Sequence, residues 1–495
     1  AGADPGSILC LTFTKAAAAE MAARVFKTLA EWTRLDDAAL DAVLADHHGG
    51  AVTAEDRVRA RRLFARALET PGGLKIQTIH AFCERLLHQF PSALEVAGAF
   101  TVLDEREADI LIETARRQVL AKASADGHSR LGRAFARLLT AASDQGIETA
   151  LDEIIARRAA LTAMIETHGS LDEGLAALRE RLGLSPDDEV ASLEASVASG
   201  LSFSDAEIIR LVAALSAAGP KHQELGAILA PFAETADPLA RAGIWRAYML
   251  TATGTIRKSL APKAVLDGWP GLAERLQAEG ERLEALLERI ASAQAADATE
   301  ALLVLGQAVV EGYETAKRRA GALDFEDLVA RTDALLHRSE ASRWVHYKLD
   351  RGLDHILVDE AQDTSPGQWG VIGGLADEFF AGEGATERQR TFFAVGDEKQ
   401  SIYSFQGAVP AWFARQRQRF RKAASDVDAT FRALELRLSF RSTADVLAAV
   451  DAVFADPDAH RGLTRDPAPT VHEAARRGEA GRVTIWDPIA PEEVT

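Results

Sequence analysis

Four short apolar runs along the chain are each followed by a segment that looks helical. "SILCLTFT" precedes "KAAAAEMAARVFKTLAEW", where apolar residues recur at helical spacing: Met21, Val25, Leu29 and Trp32. "KIQTIH" precedes "AFCERLLHQF", "TFFAVGD" precedes "EKQSIYSFQGA", and "HILVD" precedes a segment in which Ser365 and a proline are typical of a helix start. This alternation predicts an α/β fold with a parallel sheet covered on both faces.

The middle of the chain, between about Leu103 and Leu323, has a different texture. It is rich in Ala, Leu, Glu and Arg, is punctuated by Gly and Pro, and contains the strongly amphipathic "LAERLQAEGERLEALLERIASAQ". We predict a large all-helical insertion over residues 103–320, between two parts of one α/β domain at residues 1–102 and 321–430. A separate helical domain is the alternative, although the strand–helix alternation resumes after it.

A further change follows the arginine-rich segment "AWFARQRQRFRKA", which we predict to be a helix near a domain boundary. "LELRLSFRS" alternates apolar and polar residues, which predicts a strand with one buried face: Leu434, Leu436, Leu438 and Phe440. Ser442 and Asp445 then have the spacing of a capping box before a helix. We interpret residues 431–495 as the start of a second domain.

Charge and cysteine content narrow the function classes. A formal net charge of −18 argues against a generally basic nucleic-acid-binding surface, but is compatible with a narrow basic or aromatic groove. The two cysteines, Cys10 and Cys83, lack metal-ligand spacing, which favours a reducing cytoplasm and excludes structural zinc. No apolar run is long enough to span a bilayer, so no membrane role is expected. Both ends of the chain look like cuts through a larger protein.

The acidic end of the apolar run "HILVD" is the first candidate for chemistry. Asp359 and Glu360 follow a buried-looking strand directly. An Asp at such a position can hold Mg²⁺ together with nucleotide phosphates, and a neighbouring Glu can deprotonate an attacking water. Taken alone, the same two residues are also what an ordinary strand end and helix start contain.

Three other segments carry candidate residues, again at expected strand ends. In "AVGDEKQSIYSF", Asp397 ends a strand, Gln400 is placed to sense a phosphate, and Tyr403 and Phe405 offer rings for base stacking. Arg441 in "SFRS" suits an arginine finger. The hydroxyls, rings and helix starts of "LTFTK" and "IQTIHAF" suit DNA. Helix capping, core packing and plain surface exposure remain the alternatives for each.

Taken together, these segments resemble successive motifs of superfamily 1 DNA helicases of the UvrD/Rep class. The motifs are "LTFTKAAAAEM", "IQTIHAF", "DFEDLVART", "ILVDEAQDTSPGQW", "VGDEKQSIYSFQGA" and "LRLSFRS". Within that class the chain is most similar to AddA, the helicase–nuclease subunit of bacterial double-strand break repair, in its alphaproteobacterial form. The resemblance implies a RecA-like motor domain with a helical insertion and the start of a second RecA-like domain.

The resemblance also assigns roles to residues. It implies that Asp359 ligates Mg²⁺, Glu360 is the general base, and Gln400 contacts the γ-phosphate of ATP. Arg441 would be the arginine finger, and Phe440 would lie near the adenine. Gln362 and Asp397 would complete the nucleotide site. The implied DNA contacts are Phe13, Thr14, Thr78, His80, Tyr403 and Phe405.

The implied activity is ATP-dependent 3′–5′ translocation on DNA. Its implied substrates are single-stranded DNA and duplex ends, and its implied partner is a second, AddB-like subunit. A UvrD/Rep-type repair helicase without a nuclease, and a DNA-binding subunit that does not hydrolyse ATP, are the alternatives. Gln406 stands where many relatives carry Arg, which weakens the expectation of one DNA contact. The chain has no G-x-x-x-x-G-K-[ST] loop, so we expect residues 1–495 alone to bind nucleotide poorly and not to hydrolyse it.

Overall fold

The computed structural model describes residues 3–48, 50–91, 99–338, 341–350, 352–380, 389–402, 407–463 and 471–487, with the side chains at positions 48 and 350 excepted. The chain divides into two compact units. One consists of Ala1–Leu103 and Gly321–Thr495, and the other is Asp104–Ala320.

The strands are β1 (Ile8–Thr12), β2 (Lys75–Thr78), β3 (Thr101–Val102), β4 (Ala322–Leu323), β5 (His355–Val358), β6 (Thr391–Ala394), β7 (Leu438–Thr443) and β8 (Glu473–Arg476). The helices are α1 (Lys15–Arg34), α2 (Asp37–His48), α3 (Ala54–Leu68), α4 (Ile79–Gln89), α5 (Glu105–Ala125), α6 (Arg130–Ala141), α7 (Asp144–Ala156), α8 (Arg158–His168), α9 (Leu171–Arg181), α10 (Val190–Ser199), α11 (Asp205–Ser216), α12 (Pro220–Leu229), α13 (Pro238–Met249), α14 (Lys263–Gly268), α15 (Leu272–Ala320), α16 (Phe325–His337), α17 (Ser342–Asp350), α18 (Pro366–Asp377), α19 (Pro410–Asp426), α20 (Ala444–Phe454) and α21 (Pro457–His460).

The first unit is built on a parallel four-stranded sheet with the strand order β2-β1-β5-β6. Leu9 and Leu11 are fully buried on one face of β1, while Cys10 and Thr12 are buried on the other. Because successive residues of a strand point to opposite faces, both faces of β1 are covered. The predicted α/β fold with a covered parallel sheet is therefore confirmed.

The second unit is helical, and one long helix organises it. Helix α15 has 49 residues, which is about 74 Å of continuous helix at 1.5 Å per residue. Its first half packs into an apolar cluster around Trp245 and Tyr248, and its second half packs into another around Leu151. The predicted helix at "LAERLQAEGERLEALLERIASAQ" is confirmed, and it continues to Ala320. Among all the described helices, none is both long and apolar enough to cross a membrane.

Four predictions of local structure were wrong. Helix α4 begins at Ile79, two residues earlier than expected, because the Thr78 hydroxyl caps it by accepting the Ala81 N–H. The segment after β6 forms one 3-10 turn, Glu398–Gln400, and the next described helix begins only at Pro410. The Asp397 carboxylate accepts the Lys399 N–H and so closes that turn.

The third error concerns β7, which was expected to bury one face. Leu436 is 86% exposed and Phe440 75% exposed, and the strand begins only at Leu438. Among the described residues β7 pairs with β8. Neither β8 nor α20 buries the alternating apolar side chains that include Leu436 and Phe440. The capping box was also wrong, because the strand runs on through Thr443 and the Asp445 carboxylate accepts the Gly481 N–H instead.

Candidate functional site

The sheet brings most of the candidate residues to one edge. Thr12 pairs with Thr78, and Val358 pairs with both Leu11 and Ala394, so all four strands end at the same level. Because the strands are parallel, these are all carboxyl ends, where open α/β sheets bind their ligands. The turns that follow β1, β2, β5 and β6 therefore lie side by side.

The turn after β5 carries the two adjacent acids. The Asp359 N–H donates to the Leu11 carbonyl at 2.9 Å, and the Ala361 N–H donates to the Val395 carbonyl at 2.9 Å. Between them Glu360 has a left-handed backbone with φ 51°. That conformation costs on the order of 1–3 kcal/mol for a residue with a side chain, and such residues concentrate at functional sites.

A single buried amide joins this acidic turn to the end of β6. Gln362, which is 2% exposed, donates from Nε2 to Glu360 Oε2 at 2.6 Å. Its Oε1 accepts the Asp397 N–H at 3.1 Å. A Cβ on Gly396 would stand only 2.5 Å from Gln362 Oε1, so the amide lies against bare backbone. Gln362 thereby fixes the Glu360 carboxylate relative to the Asp397 turn.

The Asp397 carboxylate in turn holds the residues predicted to meet phosphate. Its Oδ2 accepts from Gln400 Nε2 at 3.0 Å, and its Oδ1 lies 3.1 Å from Lys399 Nζ. Burial by itself raises the pKa of Asp397, but the hydrogen bonds from Lys399 and Gln400 outweigh it and hold the pKa below its usual value. Gln400 is therefore positioned by an ionised carboxylate.

The charge at the acidic turn suits a divalent cation. Burial raises the pKa of Asp359, and the negative charge of Glu360 raises it further against one backbone hydrogen bond. Burial likewise raises the pKa of Asp363, and the opposing effect of the nearby Ser401 hydroxyl is smaller. Asp359 forms no ion pair with a described residue. A desolvated carboxylate beside a second acid fits Mg²⁺.

Mg²⁺ characteristically takes one or two carboxylates and completes its shell with water and phosphate. No group of three or more His, Cys, Asp or Glu within the described residues is arranged as a protein cage for a metal. A site at Asp359 would accordingly depend on ligands from the nucleotide.

The ends of β1 and β2 hold the other candidates. The hydroxyls of Thr14 and Thr78 cap helices α1 and α4, accepting backbone N–H groups at 3.1 and 3.2 Å. Thr14 is exposed and Phe13 is half-buried, so both lie at the surface beside the cap. The hydroxyls thus perform the capping role that the sequence left open as an alternative.

His80 lies in the first turn of α4, where its ring packs on Phe325 with the centroids 5.1 Å apart. Its Nε2 is 3.4 Å from Gln368 Nε2, and because the amide donates, the imidazole is the acceptor there. Burial lowers the pKa of His80, which favours that neutral form. Gln368 also accepts the Ser365 N–H in a capping box, so it links the start of α18 to the end of β2.

The remaining candidates are not joined to this edge. Tyr403 and Phe405 lie outside the described residues, as does Gln406. Phe440 and Arg441 are exposed on β7, and no hydrogen bond or ion pair of the described residues connects them to the acidic turn. The sequence reasoning missed Gln368, although the S-x-x-Q spacing after "DEAQDT" was a visible capping signal.

Known proteins that are similar to this chain are helicases and helicase/nuclease subunits. The model of the UvrD/REP helicase N-terminal domain matches residues 1–421. An "ATP-dependent helicase/nuclease" subunit of Geobacillus thermodenitrificans is 25% identical over 481 residues, covering 91% of this chain and 36% of its own length. The protein of the same name from Desulfitobacterium hafniense is 28% identical over 495 residues, covering 91% of this chain and 32% of its own length.

A third relative matches a shorter stretch. "ATP-dependent DNA helicase UvrD1" of Mycobacterium bovis is 33% identical over 154 residues, which cover 30% of this chain and 18% of that protein. The chain spans about a third of the length of the helicase/nuclease subunits it matches. The resemblance seen in the motifs is confirmed, and the chain belongs to the family of the UvrD/REP helicase N-terminal domain.

Proposed function

We propose that the protein is an ATP-driven motor that moves 3′ to 5′ on single-stranded DNA, as the helicase part of a helicase–nuclease in double-strand break repair and recombination. The observation that carries this proposal is the Gln362 amide, which ties Glu360 to the turn holding Gln400. A general base and a phosphate sensor fixed to one another are what coupled ATP hydrolysis needs. The helicase/nuclease subunits that match 91% of the chain support it.

In this proposal Glu360 orients the attacking water and takes its proton. Gln362 holds the carboxylate in place, and the left-handed turn presents it beyond the end of β5. Asp359 would hold the magnesium ion, which when bound neutralises charge on the ATP phosphates. Arg441 would supply positive charge to the transferred phosphoryl group, and Phe440 would pack near the adenine.

The hydrogen bonds that join Gln362, Asp397 and Gln400 would couple the nucleotide site to the DNA contacts. Gln400 would contact the γ-phosphate, and loss of that phosphate would change the turn that precedes Tyr403 and Phe405, which would stack on bases. Phe13, Thr14, Thr78 and His80 would line the DNA path. The Gln368 contact with His80 connects that path to the start of α18, the helix that follows the acidic turn.

The proposed substrates are single-stranded DNA and duplex ends, and the proposed partner is an AddB-like second subunit. The test is unwinding by the full-length protein of labelled duplexes that carry either a 3′ or a 5′ single-stranded tail, with ATP and Mg²⁺. We expect ATP-dependent unwinding of the 3′-tailed duplex alone. Unwinding of only the 5′-tailed duplex would refute the polarity, and the absence of ATP-dependent unwinding of either would refute the motor.

A repair helicase without a nuclease is the second candidate, and the 33% identity with UvrD1 favours it. The same reactions separate the two. A helicase–nuclease shortens the labelled strands as it unwinds them, whereas a plain helicase releases them at full length.

A further inference from the structure

Helix α17 has one face packed on the core and one face open to solvent. Val345 is fully buried, and Leu349 packs beside it against the core of the first unit. His346 Nε2 lies 2.8 Å from the Leu336 carbonyl on the same side. The opposite face consists of four exposed residues that we name the α17 platform: Arg343, Trp344, Tyr347 and Lys348.

The two rings of the platform lie next to each other. Trp344 and Tyr347 are 52% and 49% exposed, their centroids are 5.8 Å apart and their planes differ by 21°. Lys348 Nζ lies 4.7 Å from the centroid of the Trp344 ring. Trp and Tyr are normally largely buried, so two adjacent, nearly parallel rings left half in water indicate a binding surface.

The charge of the platform indicates what it binds. Arg343 and Lys348 form no ion pair with any residue in the described part of the chain, so the platform carries two positive charges on a chain whose net charge is −18. An apolar protein surface would leave both cations desolvated and unpaired, which is unfavourable. Single-stranded nucleic acid offers a planar base to each ring and a phosphate to each cation.

The platform is separate from the DNA path proposed above. Gly352, just after α17, bonds to the Leu349 carbonyl, and its own carbonyl accepts from Lys75 Nζ at 2.8 Å. Lys75 is the first residue of β2, so α17 ends at the amino edge of the sheet. Thr78 and the rest of the proposed path lie at the carboxyl edge, about 10 Å from Lys75 along a four-residue strand.

We propose that the α17 platform is a second binding site for single-stranded DNA, which holds a segment of strand outside the path at the carboxyl edge. Bases stack on Trp344 and Tyr347, and backbone phosphates pair with Arg343 and Lys348. The inference rests on the proposed function, since it assumes that single-stranded DNA is the substrate.

The test is equilibrium binding of fluorescein-labelled oligothymidylate by the full-length protein without nucleotide, followed by anisotropy. The oligonucleotide has about 30 bases, enough for two sites of roughly 4–16 nucleotides each. We expect the double variant Trp344→Ala/Tyr347→Ala to bind about tenfold more weakly or worse, since stacking on aromatic rings carries much of such affinity. Trp344→Phe/Tyr347→Phe, which keeps both rings, should retain most of the affinity.

The contribution of Arg343 and Lys348 is measured by the salt dependence of DNA affinity. Arg343→Gln/Lys348→Gln should reduce the slope of log affinity against log salt by about 1.4, the value for two phosphate contacts on a single strand. Lys258→Gln/Lys263→Gln, which removes two exposed charges from the helical unit, is the matched control and should leave the slope unchanged.

Three results would overturn the inference. One is wild-type affinity in the alanine double variant with an unchanged melting temperature. Another is an equal change of slope in the lysine control, which would show an effect of net charge alone. The third is the loss of a protein partner from the alanine variant while its DNA affinity stays at the wild-type level. If the wild-type protein binds no oligothymidylate, the proposed function fails as well.

Discussion

Gly396→Ala is expected to damage the site by pushing on one buried amide. The added Cβ would meet Gln362 Oε1 at 2.5 Å, about 0.9 Å inside the 3.4 Å at which ordinary contacts begin. Gln362 would have to move, and a shift of that size breaks its 3.1 Å bond from the Asp397 N–H. Overpacking costs about 1–3 kcal/mol and a buried polar group left unpaired about 1–3 kcal/mol, so we expect a loss of about 2–6 kcal/mol.

The assay is thermal unfolding of the full-length protein, together with ATP turnover in the presence of single-stranded DNA. Gly396→Ala should lower the melting temperature by several degrees and reduce turnover strongly, because Glu360 loses the group that orients it. Gly243→Ala is the matched control, since nothing lies within 4 Å of its Cβ and it stands inside helix α13, where Ala is favoured. Wild-type stability and turnover in Gly396→Ala would refute the role given to Gln362.

Two further substitutions test how burial affects the charged forms of His80 and Asp359. Burial lowers the pKa of His80, so the unfolded chain takes up a proton first as the pH falls, and the wild type should lose stability below about pH 6.5. His80→Gln should lose less between pH 7.5 and 5.5 in the same melting assay, and an equal loss would contradict the burial of a neutral imidazole. Asp359→Asn should abolish ATP turnover yet melt no lower than the wild type at pH 7.5, because burial disfavours the carboxylate there. A clearly lower melting temperature would count against that reasoning.

The sheet could be predicted from the sequence because its strands are apolar on both faces. Leu9 and Cys10 are buried on opposite faces of β1, within a short apolar run next to helix-start signals. The burial of β7 could not be predicted in the same way. Its alternation shows that one face is apolar, but the pattern does not tell which element covers that face.

Part of the candidate site could likewise be predicted from the sequence and part could not. Acids at a strand end, such as Asp359 and Glu360, are visible because the strand before them is visible. The bond from Gln362 to the Asp397 turn is not, because it depends on how closely two strand ends 35 residues apart approach in space. The left-handed backbone of Glu360 was equally hidden, since the residue type gives no signal for it.

The central claim is that the carboxyl edge of the sheet hydrolyses ATP with Glu360 as the general base. The most direct measurement is the ATPase rate of full-length Glu360→Gln, with and without single-stranded DNA, compared with the wild type. The substitution keeps the size of the side chain and removes its ability to accept a proton, so we expect the DNA-stimulated rate to fall by about two to four orders of magnitude. DNA binding without nucleotide should stay at the wild-type level. A variant that retains most of the DNA-stimulated rate would contradict the assignment of Glu360 and the account built on it.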